Sequence, residues 1–394
     1  MLRNESFYLK RIADVPYILP TGQMVADHMR GVKINETGAF IWECLKEDLT
    51  KEELNEKCYK YFEALDEDKE EINAGTDEFI KYLDSLGMIL PKADIKPDYI
   101  EPAKDKLLPY KNLDFIQSVG IANIKIGFYG DREVLTDKFD AFAIKSEGAD
   151  DLRVEIVHEE PEVLAGFDII RDAAVETTEC DDRYILRFPE SEKIIECHLS
   201  KKGNFARFYI KNDLDEGEKD LLFHAIRTVF LYKALSKGIV AVHSASILYK
   251  NSVWLFSASA GTGKSTHTSL WKELFETKIV NGDLNLLGFK DGKPVVYGLP
   301  WCGTSNTFDV KTYKLGGVIL LKRNQTNFVE ELSEDEKELL VQQRIISPTW
   351  DKNLLDMQFE TVDNIIKGGV LIARLNCTKD YEAAIVMKEY IDRI

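Results

Sequence analysis

The stretch SASAGTGKST, residues 257–266, holds the residue types that grip phosphate. Gly261 and Gly263 let backbone amides converge on an anion with no Cβ in the way. A helix starting near Lys264 turns the positive end of its dipole toward the same point. In the pattern GxxxxGK[ST] the lysine, here Lys264, reaches the β- and γ-phosphates of a nucleotide, and the next hydroxyl, Ser265, ligates Mg2+. Ala260, Gly261, Thr262, Gly263, Lys264, Ser265 and Thr266 are the expected lining. Ala258 stands where the pattern opens with glycine, a change that a residue at negative φ tolerates. The plainer reading is a turn rich in small residues. The apolar run SVWLF before it and the helical KSTHTSLWKELF after it favour the phosphate loop.

A second element is VNGDLNLL. Asp283 follows the apolar run KIV, which puts its carboxylate at the carboxyl end of a strand, the edge where open α/β sheets bind ligands. There it either holds Mg2+ or accepts a proton from an attacking hydroxyl; alone it would read as a turn aspartate. His243 ends the strand IVAV upstream, where a neutral imidazole orients Asp283, assists proton transfer or is simply a satisfied structural residue. In GLPWCG, Trp301 and Cys302 are placed to shape a pocket wall, with Cys302 read as a buried thiol and His267 as a helix-surface or packing residue.

These groups need a scaffold. Alternating strands and helices from residue 216 to 394 argue an α/β nucleotide-binding domain, introduced by the amphipathic helix EKDLLFHAIRTVFLYKALSKG. Residues 118–215, short β-like runs broken by charged turns, form a β-rich preamble, and 93–117, with several prolines and little periodicity, read as a linker. Residues 1–92 form a small α+β unit: strand-like alternation in FYLKRIADVPYILP and GQMVADHMRGVKI, then three helical patterns, the second opening on the capping box Thr50 and Glu53. That order suggests a winged-helix-like domain.

The whole chain, 394 residues at 44% hydrophobic and 30% charged, suits several packed domains. A formal charge of −17 excludes nonspecific nucleic-acid binding, which needs clustered Lys and Arg. The chain has no apolar run long enough for a bilayer and no signal-peptide pattern, so a cytoplasmic location is expected. Six scattered cysteines without a CxxC pair argue against structural zinc and a disulfide framework.

From about residue 220 onward the motifs HSASI, GTGKSTHT, NGD and PWCG, in that order, resemble the HPr kinase/phosphorylase-like branch of the phosphoenolpyruvate-carboxykinase superfamily. The N-terminal unit, with INETGAFIWECL opening its first helix, is similar to PqqD-like peptide-recognition domains, which bind a leader peptide as an added strand. The resemblance implies an α/β P-loop kinase domain of HPr-kinase-like type that uses ATP and Mg2+. Lys264 would grip the triphosphate, Ser265 and Asp283 would hold the metal, and Asp283 with His243 would take the acceptor proton. HPr kinases carry paired aspartates where this chain has Gly282 before Asp283. The expected acceptor is Ser or Thr of a ribosomally made precursor peptide docked on the N-terminal domain. The alternatives are a small hydroxylated substrate such as a free hydroxy amino acid, or a catalytically silent peptide-binding protein. Relatedness to HPr kinases also implies a homo-oligomer.

Overall fold

The computed structural model describes residues 1–90, 109–145, 150–259 and 261–394. Two compact units divide the chain, Met1–Glu101 and Pro102–Ile394. Within the first, Phe7–Ile12 and Val15–Pro20 pair as a hairpin across Ala13 and Asp14, both in the left-handed region that a tight two-residue turn requires. The alternation expected over 23–33 does not give a strand of that length. Gly22 and His28 sit at positive φ, so Gln23–Ala26 forms one helical turn and only Val32–Lys33 completes the three-stranded sheet. Helices Glu36–Cys44, Lys51–Tyr61 and Lys69–Ser85 follow, the second closed by the Thr50–Glu53 capping box. Trp42, Leu45, Leu54, Cys58 and Leu83, none more than marginally exposed, form the core.

The second unit is mixed α/β with two large sheets. Its eight-stranded sheet begins at Phe115–Ile121, inside the stretch expected as a linker, and ends in sequence at Phe205–Ile210. Residues 91–108 of that stretch lie outside the described residues. Buried Glu155 accepts from the Lys111 amide at 3.1 Å, and Arg207 donates to the Pro109 carbonyl at 2.6 Å, so residues 109–111 are tied to this sheet.

Helix α1 (Glu216–Leu235) leads into a nine-stranded sheet. Strands β1 (Val240–His243), β2 (Ala245–Tyr249) and β3 (Ser252–Ser257) are followed by α2 (Lys264–Phe275). Next come β4 (Lys278–Asn281), β5 (Leu284–Lys290), β6 (Lys293–Tyr297), β7 (Tyr313–Arg323) and β8 (Phe328–Glu330). Helices α3 (Glu334–Gln342) and α4 (Lys352–Lys367), strand β9 (Leu371–Cys377) and helix α5 (Tyr381–Arg393) complete the chain. Strand order is β1-β5-β6-β7-β3-β2-β4, with β9 parallel to β7 and β8 on β9. The parallel trio β3, β7 and β9 brings three carboxyl ends to one edge.

Trp254 and Phe256 of β3 pack with Trp271 of α2 and Met387 and Ile391 of α5. Each such buried side chain contributes ~1.5–3 kcal/mol. Helix α4 has no counterpart in the sequence reading above. Asp351 caps it by accepting from the Leu354 amide, and Leu355, Phe359, Val362 and Ile365 line its buried stripe.

Candidate active site

Strand β3 ends at Ser257, and the chain turns through the phosphate loop into α2 at the carboxyl edge of the parallel trio. Gly261 and Gly263 adopt φ of 72° and 127°, values open to glycine. Gly263 occupies the N-cap position without a side-chain cap, so the first amides of a twelve-residue helix are left for an external acceptor. Ala258 is buried, and its carbonyl accepts from Lys264 Nζ at 3.4 Å. Arg323, at the end of β7, donates to the Gly261 carbonyl and holds the loop to the neighbouring strand. Thr262, Ser265 and Thr266 lie at the helix start with Ser265 exposed; Ala260 lies outside the described residues.

Asp283 and His243 arrive from different strands. His243 Nε2 is 3.2 Å from Asp283 Oδ1. A buried polar lattice fixes both. The Asn281 side chain accepts from the amides of Asp283 (2.9 Å) and Leu284 (3.0 Å) and donates to the Trp301 carbonyl at 3.1 Å. Asn285 donates to the Ser244 carbonyl at 2.7 Å, Ser246 donates to Asn285 at 2.6 Å, and Ser257 donates to the His243 carbonyl at 2.6 Å. None of these Ser and Asn side chains is more than 1% exposed. Satisfied polar groups at such burial specify one arrangement, because any slip leaves a donor or acceptor stranded. The sequence reading missed them. Their signal is polar residues at alternate positions in otherwise apolar strands, in HSASI and in NGDLN.

The site is rich in cations. The hydrogen bond from His243 holds the Asp283 carboxyl below the ordinary carboxylate range; burial opposes this, and Lys264 and Arg227 assist. Burial depresses the Lys264 ammonium, with Asp283 opposing and Arg344 adding to the effect. Burial likewise depresses Arg227, whose charge neighbour is Asp283, and Arg344. Arg344 follows α3, where its carbonyl accepts from the His243 amide at 2.8 Å, and its Nε is buried without a hydrogen-bond partner among the described residues. Its side chain lines a cavity of about 520 Å³ with Ser259, Thr262, Arg323 and Arg374, beside the phosphate loop. Neither arginine belongs to a motif, so only the fold reveals them.

Trp301 does not form a pocket wall. It is 1% exposed, donates from Nε1 to the Phe223 carbonyl at 2.9 Å, and stacks on Phe223 and Phe230, which makes it an anchor for the loop after β6. Cys302 is buried and burial raises its thiol pKa. His267 is fully buried, 3.3 Å from Cys377 Sγ, and burial lowers its pKa to about 4, so the ring is neutral packing. Gly282 leaves no room for a side chain, since a Cβ there would lie 2.2 Å from Ser305 Oγ and 2.5 Å from its Cβ.

The residues fit a polyphosphate. Lys264 and Arg227 neighbour one carboxylate, Asp283, and Arg344 neighbours Lys264, so an anion would balance the excess positive charge. They fit Mg2+ as well, on a thin donor set: Ser265 and Asp283 are what the chain offers, and no group of three or more His, Cys, Asp or Glu suited to a metal exists among the described residues. Mg2+ commonly keeps its waters and takes one or two protein oxygens plus substrate phosphates.

No family model matches the chain, and no curated protein matches it. Among solved structures, the Hpr(Ser) kinase/phosphatase from Coxiella burnetii aligns over 39% of this chain and 94% of that chain, at 9% identity and a TM-score of 0.22. A score that low carries no argument about architecture or activity. No helix among the described residues is long and apolar enough to cross a membrane.

Proposed function

We propose that the chain is an ATP- and Mg2+-dependent kinase that phosphorylates a hydroxyl, with Ser or Thr of a precursor peptide as acceptor. The observation that carries this reading is a set of half-buried cations, Lys264 and Arg344 at the expected phosphate loop and Arg227 near Asp283, with that single carboxylate paired with His243. Phosphoryl transfer asks a protein for positioning and charge neutralisation more than for covalent chemistry. Bound Mg2+ would neutralise phosphate charge, held on the protein side by Ser265 and Asp283.

Lys264 and the amides at the start of α2 hold the β- and γ-phosphates. Asp283 orients the acceptor hydroxyl, whose oxygen bonds to the γ-phosphorus as the bond from that phosphorus to the bridging oxygen breaks. The hydroxyl proton passes to Asp283, which His243 Nε2 holds in place through Oδ1. The products are a phosphomonoester and a nucleoside diphosphate. Asp283 is ionised at neutral pH, so it starts the step as an acceptor.

The docking part of the proposal rests on the N-terminal sheet, whose last strand has two residues and leaves a short edge for an added strand. The test is incubation of the purified chain with MgATP and the precursor peptide encoded beside its gene, read by mass spectrometry. A phosphopeptide that disappears with Lys264→Ala is expected. Unmodified peptide in the presence of bound MgATP would refute the acceptor assignment.

A further inference from the structure

Two cavities lie side by side, the first of them beside Asp283 through Gly303, away from every recognised motif but PWCG. The first, about 260 Å³, is lined by Lys138, Asp220, Phe223, His224, Thr304 and Asn306, with Pro300, Cys302 and Gly303 closing it. Gly303 touches the Asp283 side chain: a Cβ on it would lie 2.9 Å from Asp283 Cβ. The second, about 310 Å³, is lined by Glu133, Thr136, Asp137, Glu216 and Lys219, and it shares Lys138 and Asp220 with the first. The shared Lys138 and Asp220 make the two cavities neighbours, and Gly303 sets the first beside Asp283, so a chain crossing both would follow one path away from that carboxylate.

The charges along the path differ. In the first cavity Lys138 donates to Asp220 at 2.7 Å and stands 4.8 Å from the Phe223 ring centroid, so its cation and anion already satisfy each other. His224 adds no charge, since burial lowers its pKa, and its Nδ1 is buried without a hydrogen-bond partner among the described residues. What remains on offer is neutral: Thr304, Asn306 and the Phe223 ring. A free amino acid would bring an ammonium and a carboxylate into a space with no spare countercharge, which is costly. A residue inside a peptide brings neither. In the second cavity Lys219 pairs with Glu216 at 2.9 Å, whereas Glu133 and Asp137 make no ion pair among the described residues. Two unmatched carboxylates there complement a positive side chain.

We infer that the acceptor is a polypeptide lying extended along these two cavities, its hydroxyl residue in the first and a neighbouring lysine or arginine in the second. The inference rests on the kinase reading and adds to it where the acceptor lies and the basic neighbour it carries.

The experiment uses the full chain, calorimetry with MgATP, and phosphate transfer from labelled MgATP. The acceptors are end-blocked peptides with one central serine and Lys, Arg, Asp or Glu fixed at each flanking position, beside free L-serine. Peptides with a basic flank should take up phosphate at least fivefold faster than those with an acidic flank, and free serine should take up none. The double variant Glu133→Lys with Asp137→Lys should reverse the flank preference at unchanged MgATP affinity. Failure to bind MgATP would remove the kinase reading itself. With MgATP bound, phosphorylation of free serine as fast as any peptide, a flank preference that is absent or unmoved by the double variant, or no peptide phosphorylated at all would overturn the inference.

Discussion

His243 Nε2 and Asp283 Oδ1 lie 3.2 Å apart, although 40 residues separate them in sequence and each belongs to a different strand end. The contact favours the ionised form of Asp283 and occupies its Oδ1. Asp283→Asn should lower kcat by ~10³-fold and His243→Ala by ~10²-fold, within the usual span for lost proton-transfer groups. By calorimetry His243→Ala should keep MgATP affinity within a few fold, whereas Asp283→Asn, which removes one of the two proposed Mg2+ oxygens, should weaken it. Because the folded Asp283 carboxyl titrates below its ordinary value, it stays charged above about pH 4. Loss of activity traceable to Asp283 should appear only below that, as pH falls through the depressed value.

Arg344 leads to an outcome of opposite sign for stability and binding. A half-buried guanidinium with an unpartnered Nε costs the fold and is useful only when an anion arrives. Arg344→Gln should leave the melting temperature equal or higher while weakening MgATP about tenfold or more, ~1.4 kcal/mol. Paired thermal melts and calorimetry decide it. A variant that melts lower and binds normally would mark Arg344 as structural.

How far the sequence reaches is clear from particular residues. The helix starting at Lys264, the hairpin turn at Asp291 and Gly292 and the strands around them follow from local signals, namely glycines at forced φ, apolar runs and caps. The scaffold of the candidate site is less local. Ser244, Ser246, Asn281 and Asn285 act across strands, so their meaning depends on a register that no single window contains. Arg227 and Arg344 lie outside every motif and are brought to the loop by packing alone. Helix α4 was within reach: Asp351 and a stripe at 355, 359, 362 and 365 carry a plain amphipathic pattern. In Trp301 the side chain's size suggested a pocket wall, but its indole N–H found a carbonyl and its rings a stack, which drew it inside.

Gly303 separates crowding from loss of chemistry. It sits at φ of 60°, and a Cβ would come within 2.9 Å of Asp283 Cβ and 3.1 Å of Oδ2. Gly303→Ala should displace Asp283 and cut phosphate transfer by ~10²-fold, the scale set by an ångström of misplacement. Binding of ATP without Mg2+, which rests on Lys264 and the amides at the start of α2, should stay within a few fold. Assay of transfer beside calorimetry on one preparation checks both.

Asp309 holds the far end of the loop that carries Gly303. Burial alone would raise its carboxyl, but hydrogen bonds from Lys278, from Tyr313 Oη at 2.6 Å and from the Lys311 amide at 3.1 Å prevail and bring it to about 2 from 3.8. A depressed folded value means the stabilisation is complete above about pH 4 and is lost as pH falls toward 2. A shift of that size corresponds to ~2 kcal/mol. Asp309→Asn should therefore lower urea stability by about that amount at pH 7, with the difference vanishing near pH 2.

The indole of Trp301 is hooked to the Phe223 carbonyl in the middle of α1, while Phe139 from the outer sheet's excursion abuts both rings. The preamble and the nucleotide layer are thus riveted through one tryptophan. Scission of the gene near residue 215 should leave neither part of the second unit able to fold alone, and a strain introduced at Phe139 should reach the loop that carries Gly303.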